Sequence, residues 1–410
     1  MGDKPIAIDL FAGAGGLTLG FEMAGFSVKA AVELDKHACE AHEINFPNCK
    51  VIQKDITNIS GSLVLNELNL KSNQIDVIIG GPPCQGFSMA GKRSNDDERN
   101  ELLNEYARIV LEIMPKYFVM ENVKGLLSYK SGKVVHEFLC RMSEAFNIDL
   151  PLRVLNAADF GVPQNRERLI IIGSRKNVKR ITYPSPTHIN PKDIRYRYHP
   201  VFGKHSSLDK LDNMLFCPTV ADAISDIPNP DLFDELIDGD TIPYDVSNCK
   251  YISEFAKIMR GQIKDASDNS TFRPDWNSKL ITNVKRTRHE DSIKIEFEGL
   301  GEGENHRSRR KKLKSNGLSP TIRAGTKSDK GSYTALRPIH YEQPRVITVR
   351  EAARLMSFPD WMYFHHTKWH GFRLVGNAVP PLLAKSVALQ VLDALKNVEK
   401  KMEVITDEKI

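Results

Sequence analysis

The 410-residue chain predicts a doubly wound α/β sheet with helices on both faces, followed by a smaller, irregular domain. Three observations predict it. Short apolar segments alternate with helix-like stretches over the first 174 residues. A glycine-rich turn follows the first apolar segment, and near residue 175 the alternation stops as prolines and polar residues rise.

The strands are expected at 6–10, 27–32, 50–53, 75–79, 117–120, 153–155 and 169–173, with amphipathic runs near 36–46, 100–114 and 132–146. In such sheets ligands bind at the carboxyl ends of strands. The glycine-rich turn, Cys84 and Glu121 all fall at such ends. From 175 to 340 the chain carries breaks such as Tyr183-Pro184-Ser185-Pro186 and Ile227-Pro228-Asn229-Pro230. A structureless stretch of that length is unusual, so short strands are expected within it. Helical patterns return at 348–356 and 382–395, and the polar end, 396–410, is expected to fray.

Composition is that of a globular protein, 41% hydrophobic and 27% charged. No run of about 18 apolar residues is present, so no membrane span is expected. The N-terminus lacks the basic-then-apolar pattern of a secretory signal. The six cysteines are scattered with no C-x-x-C pair, which predicts reduced thiols in a cytoplasmic protein and no metal site. Charge is uneven. Residues 1–174 hold 18 basic and 22 acidic residues, net −4; the remainder holds 39 and 30, net +9. A basic half points to a polyanionic partner.

The first strand runs into Asp9-Leu10-Phe11-Ala12-Gly13-Ala14-Gly15-Gly16-Leu17. Glycines there allow a sharp turn and close approach of a ligand. Glu33, 20 residues beyond Gly13, has the spacing of a carboxylate that grips ribose hydroxyls. Asp55, ending the third strand, is placed to reach an adenine amino group. The fingerprint G-x-G-x-x-G would need glycine where this chain has Thr18, which argues against NAD. S-adenosylmethionine carries no pyrophosphate and needs no such cradle.

The next strand end reads Gly80-Gly81-Pro82-Pro83-Cys84-Gln85-Gly86-Phe87-Ser88. Only a thiolate attacks, so a nucleophilic Cys84 needs its proton removed. Glu121, behind four apolar residues, has the setting of a partly buried carboxyl; burial favours the protonated form that a general acid requires. Arg166 and Arg168, two apart on an extended segment, share a face, and their forks suit phosphate or carbonyl oxygens.

Taken together these landmarks resemble the DNA (cytosine-5) methyltransferases of prokaryotic restriction–modification systems. The residues that carry the resemblance are Asp9 to Gly16, Glu33, Asp55, Gly80 to Ser88, Glu121-Asn122-Val123 and Gln164 to Arg168. Leu318-Ser319-Pro320-Thr321-Ile322-Arg323 and Gly376-Asn377-Ala378-Val379-Pro380-Pro381 complete them, in the family's order. The resemblance implies a Rossmann-like, S-adenosylmethionine-dependent catalytic and cofactor-binding domain at 1–174. It also implies a target-recognition domain at 175–340, a return segment at 341–400 and a polar tail at 401–410.

It further implies roles. Phe11, Gly13, Gly15, Glu33, Asp55, Pro83, Leu102, Asn377 and Val379 would form the cofactor pocket. Cys84 would be the nucleophile, Glu121 the acid at ring nitrogen 3, Arg168 the contact to the cytosine carbonyl and Arg166 a support to the site or a phosphate. Because the target atom is inaccessible in a stacked duplex, the base must flip out. The loop 85–99, with Ser88, Lys92, Arg93 and Arg99, would close over it. Gln164, Arg307, Arg309 and Arg310 would contact DNA. The product cofactor would be S-adenosylhomocysteine, with no metal. The partner would be double-stranded DNA, bound by a monomer in the cytoplasm and associated with the nucleoid through that DNA, with a cognate endonuclease acting separately. A tRNA cytosine-5 methyltransferase is the alternative of like chemistry, but Cys-Phe-Thr, typical there, is not found. A catalytically silent DNA-binding relative is another, and such proteins usually lose the nucleophile or the acid, both present here.

Overall fold

The computed structural model describes residues 4–83, 98–189, 214–245, 247, 249, 251–263, 273, 275–325 and 337–407. The chain divides into two compact units. The first is Met1–Leu155, Glu167–Pro184 and Ala384–Ile410; the second is Asn156–Arg166 and Ser185–Leu383.

The first unit is built on one sheet. Its elements run β1 (Ile6–Leu10), α1 (Gly16–Met23), β2 (Ser27–Glu33), α2 (Lys36–Asn45), β3 (Lys50–Gln53), α3 (Gly61–Leu68) and β4 (Val77–Gly80). They continue α4 (Glu98–Ile113), β5 (Tyr117–Val123), α5 (Lys133–Ser143), β6 (Phe146–Ile148), β7 (Arg153–Asn156) and β8 (Glu167–Arg175). The strand order is β3-β2-β1-β4-β5-β8-β6, with β7 paired to β8. The first five pair in parallel, whereas β8 runs antiparallel to β5 and β6 antiparallel to β8. The chain winds outward from β1 in both directions, so the switch point lies between β1 and β4. That crevice is where open α/β sheets take ligands.

The core explains why these segments are strands. Val77, Ile78 and Ile79 are fully buried, as are Tyr117, Phe118 and Met120, as a parallel strand covered on both faces requires. Phe118 meets Phe138 and Phe146 edge-on at 6.3 and 5.1 Å. Each such side chain contributes roughly 1.5–3 kcal/mol by burial. Opposite Phe118 in the ladder stands Gly173; a Cβ there would lie 2.1 Å from the Phe118 ring. The sheet extends further than the sequence suggested. β5 continues through Glu121 and Asn122 because β8 pairs with it along its whole length. α1, α3 and β6 are additions. α1 is buried almost all round, so it has no amphipathic signature, and β6 is three residues long.

The second unit is irregular. It holds β9 (His188–Ile189), β10 (Leu215–Phe216), α6 (Val220–Ile224), β11 (Ile242–Pro243), α7 (Glu254–Met259), β12 (Leu280–Ile281), α8 (Asp291–Gly299), α9 (Val349–Arg354) and α10 (Lys368–Asn377). β9 pairs with β10 and β11 with β12. Strands this short bury little surface, and a buried charge network ties the segments together. Arg354 reaches Asp360 at 2.6 and 2.7 Å and Asp226 at 3.2 and 3.1 Å. Arg260 reaches Asp360 at 3.0 Å. Burial alone would raise the Asp360 pKa; Arg354, Arg350 and Arg260 overcome it and hold it at about 2. Arg345 forks Glu351 at 2.9 and 2.6 Å with the same effect, again against burial.

α11 (Pro381–Asp407) leads from the second unit back into the first. It is helical through Asp407, so the polar end from 396 begins as a continuation of this helix. The stretch Lys368–Lys396 meets the length and hydropathy of a membrane span, but 56% of its most apolar window is buried in the protein. That apolarity serves as a core face.

Candidate active site

The cofactor turn leaves β1 through two left-handed residues. Phe11 has φ 59° and Gly13 φ 54°. For a bulky residue such as Phe11 this conformation costs about 1–3 kcal/mol and is retained where a site needs it. A Cβ on Gly13 would meet nothing within 4 Å, so the turn faces open space there. Gly15 is required for a different reason: at φ 87°, its Cβ would lie 2.3 Å from the Phe46 ring. His42 of α2 presses on the same turn, its Nδ1 3.4 Å from Gly13 O. Burial lowers its pKa to about 4, which keeps it neutral.

Glu33, at the end of β2, accepts from Gly13 N through Oε2 and from Leu34 N and Asp35 N through Oε1, each at 2.8 Å. It thus fixes the turn; Oε1 is saturated by its two donors, and Oε2 keeps a second lone pair. Asp55 uses Oδ1 to accept from Thr57 N and Oγ1 at 3.0 and 2.8 Å. Leu102 on α4 is partly exposed and packs on the core; Pro83 is exposed. Beneath the turn is a pair the sequence did not reveal. Asp9 is fully buried and accepts from Thr18 Oγ1 at 2.8 Å. Burial raises the Asp9 pKa from 3.8 to about 7, against the Thr18 bond. Thr18, seen in the sequence only as a missing glycine, clasps the turn to β1.

β4 and β5 are parallel neighbours, with Gly80 opposite Met120. Their carboxyl ends therefore deliver Gly81-Pro82-Pro83 beside Glu121-Asn122. Asn122 Nδ2 donates to Pro82 O at 3.1 Å, pinning the proline loop to β5. A Cβ on Gly81 would lie 3.0 Å from Glu121 Oε2, so the loop passes hard against the carboxylate. Glu121 is only 9% exposed. Arg168 comes from β8, two ladder positions along and opposite Val123, and its Nε lies 2.7 Å from Glu121 Oε1. Its Nη1 donates to Glu167 O at 2.7 Å. Cys84, Ser88, Lys92 and Arg93 lie outside the described residues, with most of the loop 85–99. Arg99 falls in the first turn of α4.

In the second unit Arg166 is 1% exposed. Its guanidinium donates to Ile322 O at 3.0 Å and to Gly376 O and Ala378 O at 2.8 Å each. Three segments picked out in the sequence, around 166, 322 and 376, are thereby joined by one side chain. It is buried and both terminal nitrogens are spent on carbonyls, so the expected contact to a phosphate does not fit. Gln164 also corrects its expectation. It is fully buried, donating to Leu355 O at 3.2 Å and accepting from Ile322 N at 3.2 Å. A DNA contact does not fit that burial. Asn377 ends α10 exposed, and Val379 is buried. Arg307 is 72% exposed and forks Glu296 at 2.8 and 2.6 Å. Arg309 is exposed, and Arg310 donates to Ser308 Oγ at 2.8 Å. The basic run is not uniformly solvated, since Lys312 is buried on Phe297 O and Leu300 O.

Residues 6–393 match the C-5 cytosine-specific DNA methylases. The chain is 44% identical over 411 aligned residues to the type II methyltransferase M.XorII of Xanthomonas oryzae pv. oryzae, covering 98% of this chain and 88% of that one. It is 36% identical to the type II methyltransferase M1.HphI of Haemophilus parahaemolyticus, over 94% and 86%. Among solved structures it superposes on a prophage-encoded DNA modification methyltransferase of E. coli with TM-score 0.73 and 31% identity, over 96% of this chain and 100% of that one. The S. pombe Dnmt2 methyltransferase, at TM-score 0.53 and 16% identity over 96% and 99%, shares the fold. With a matching family across nearly its whole length, the chain belongs to the C-5 cytosine-specific DNA methylases and is a DNA (cytosine-5) methyltransferase of the restriction–modification type.

Proposed function

We propose that this enzyme methylates carbon 5 of a flipped-out cytosine within a specific duplex sequence, through a covalent Cys84 adduct. The observation that carries this reading is the Glu121–Arg168 pair, 2.7 Å apart, at the strand end beside the loop that leads to Cys84. Nitrogen 3 and the carbonyl oxygen of cytosine are adjacent on one ring edge. A carboxyl and a guanidinium side by side match that edge, one supplying a proton to nitrogen 3 and the other a hydrogen bond to the oxygen.

The thiolate of Cys84 adds to carbon 6 as nitrogen 3 takes the proton from Glu121. Electron density moves to carbon 5, which is otherwise a poor nucleophile. S-adenosylmethionine, held at the turn after β1, supplies the electrophilic methyl group. Loss of the carbon 5 proton to base then expels the thiolate, nitrogen 3 returns its proton to the Glu121 carboxylate, and 5-methylcytosine is left. The residues fit that cofactor: Gly13 faces open space, Phe11 is held in a left-handed conformation at the turn, and Glu33 Oε2 keeps one lone pair free for a ribose hydroxyl. Flipping the base costs a few kcal/mol, and closure of the loop 85–99 would offset it. The relatives are named type II methyltransferases, in keeping with protection of host DNA against a separate cognate endonuclease; we read the enzyme as a monomer acting in the cytoplasm.

A duplex with 5-fluorocytosine at the target tests the reading, because fluorine cannot leave as a proton does. Wild-type protein with cofactor should form an adduct that survives denaturation, and Cys84→Ala should form none. A wild-type enzyme that methylates ordinary DNA yet is never trapped would overturn the covalent route.

A further inference from the structure

We propose that the second unit carries a preformed clamp for one phosphate of the DNA backbone, made by Arg310, Arg337 and Lys368 beside the cavity floored by α8. The inference rests on the reading that this enzyme acts on duplex DNA. The cavity has a volume of about 440 Å³. Ile293 and Phe297 form its apolar floor, with His289, His306, Arg307 and Arg310 around it. His289 and His306 meet the Phe297 ring edge-on at 5.3 and 5.0 Å.

The cations here are of two kinds. Arg307 is already paired with Glu296 at 2.6 Å, and the same carboxylate lies 2.6 Å from His306 Nε2. Arg310 has no carboxylate partner among the described residues; one nitrogen donates to Ser308 Oγ, and its buried Nε meets no acceptor. Arg337 lies over the Phe372 ring at 4.1 Å. Lys368 stands one turn before Phe372 on α10 and donates to Arg286 O at 2.8 Å and Thr287 Oγ1 at 3.1 Å. Neither has a carboxylate within ion-pair distance among the described residues.

Ile339 N donates to Lys311 O at 2.9 Å and Ile339 bridges Lys312 in parallel, so the segments bearing Arg310 and Arg337 run side by side, and the cations repel one another. Burial and then Arg310 lower the Arg337 pKa to about 10; burial, then Arg337 and Lys285, lower Lys368 to about 8. His289 is lowered by burial, then by Arg310, with Lys368 and Lys294 adding and Asp231 opposing. Asp231 and Asp234 are engaged by Arg286, at 3.2 and 3.3 Å. Partly buried cations held together without an acid are stabilised by an anion with several acceptor oxygens. A phosphodiester has that chemistry, and phosphate contacts position a protein on DNA without reading its sequence.

The test is duplex binding by the full chain, followed by fluorescence anisotropy across a salt series. Arg310→Met and Lys368→Met should each lower the slope of log affinity against log salt by about one. Each should weaken target and non-target duplexes by the same factor, with melting curves that show both variants folded. Unchanged slopes in folded variants would overturn the clamp, as would a loss confined to the target sequence, which marks base reading. If inorganic phosphate raises the melting temperature of wild type but the variants keep its slope, the site serves a free anion and the inference also fails. Wild type that binds DNA but never methylates it would instead defeat the proposed function.

Discussion

Glu121 and Arg168 meet because β8 runs antiparallel to β5, which sets the arginine two ladder positions from the acid, on the same face of the sheet. Glu121→Gln keeps the shape but not the transferable proton. Its turnover should fall roughly 10²–10⁴-fold with duplex affinity near wild type, measured by single-turnover methyl transfer; loss of affinity alone would mark a binding role. Asp9 makes a pH prediction. Its pKa is about 7 in the folded protein against 3.8 for an ordinary aspartate, chiefly from burial. Between those values the unfolded chain has released a proton that the folded protein retains. The contribution is therefore fully present below about pH 4 and lost as pH rises through 7, on the order of 4 kcal/mol at most. Asp9→Asn keeps an acceptor for Thr18 and removes the titration. Its melting temperature relative to wild type should rise between pH 5.5 and 8; parallel curves would show that the carboxyl titrates normally.

At the scale of elements, close backbone approaches decide what can change. A Cβ on Gly376 would lie 2.3 Å from Ala324 N and 2.5 Å from Arg323 C, backbone atoms with little room to give. Gly376→Ala should cost about 1–3 kcal/mol, read from the urea midpoint, since the same segment is held by Arg166. An unchanged midpoint would mean that α10 shifts freely. Elements with a period or a punctuated apolar run were legible: β1 and β3 stand where the sequence set them, and α2, α4 and α5 lie within two or three residues. α1 was not, because burial all round leaves no polar face to mark a helical period. β6 owes its existence to pairing with β8, which three residues cannot announce. The site divides likewise. Glu33 and Glu121 stood out by position at strand ends, whereas the Asp9–Thr18 clasp and the burial of Gln164 depend on contacts that spacing does not encode.

At the scale of the whole molecule, charge and cofactor binding are separable. The basic excess lies after residue 174, while the turn proposed to hold the cofactor belongs to the first unit, which the near-neutral half of the chain mainly builds. Cofactor affinity should accordingly show little salt dependence even where DNA affinity shows much. Binding to the folded state alone stabilises it by mass action, about 2.7 kcal/mol at a ligand concentration 100 times the dissociation constant. S-adenosylhomocysteine, which cannot donate a methyl group, should therefore raise the melting temperature by several degrees. Cys84→Ala should keep the whole shift, because the thiol acts on the base. Glu33→Ala should lose most of it at the same concentration, because it removes both the carboxylate and the bond that fixes Gly13. The informative quantity is the shift, since Glu33→Ala lowers the starting temperature by freeing three backbone donors. A full shift in Glu33→Ala would move the cofactor away from the end of β2, and with it the roles assigned to the turn after β1.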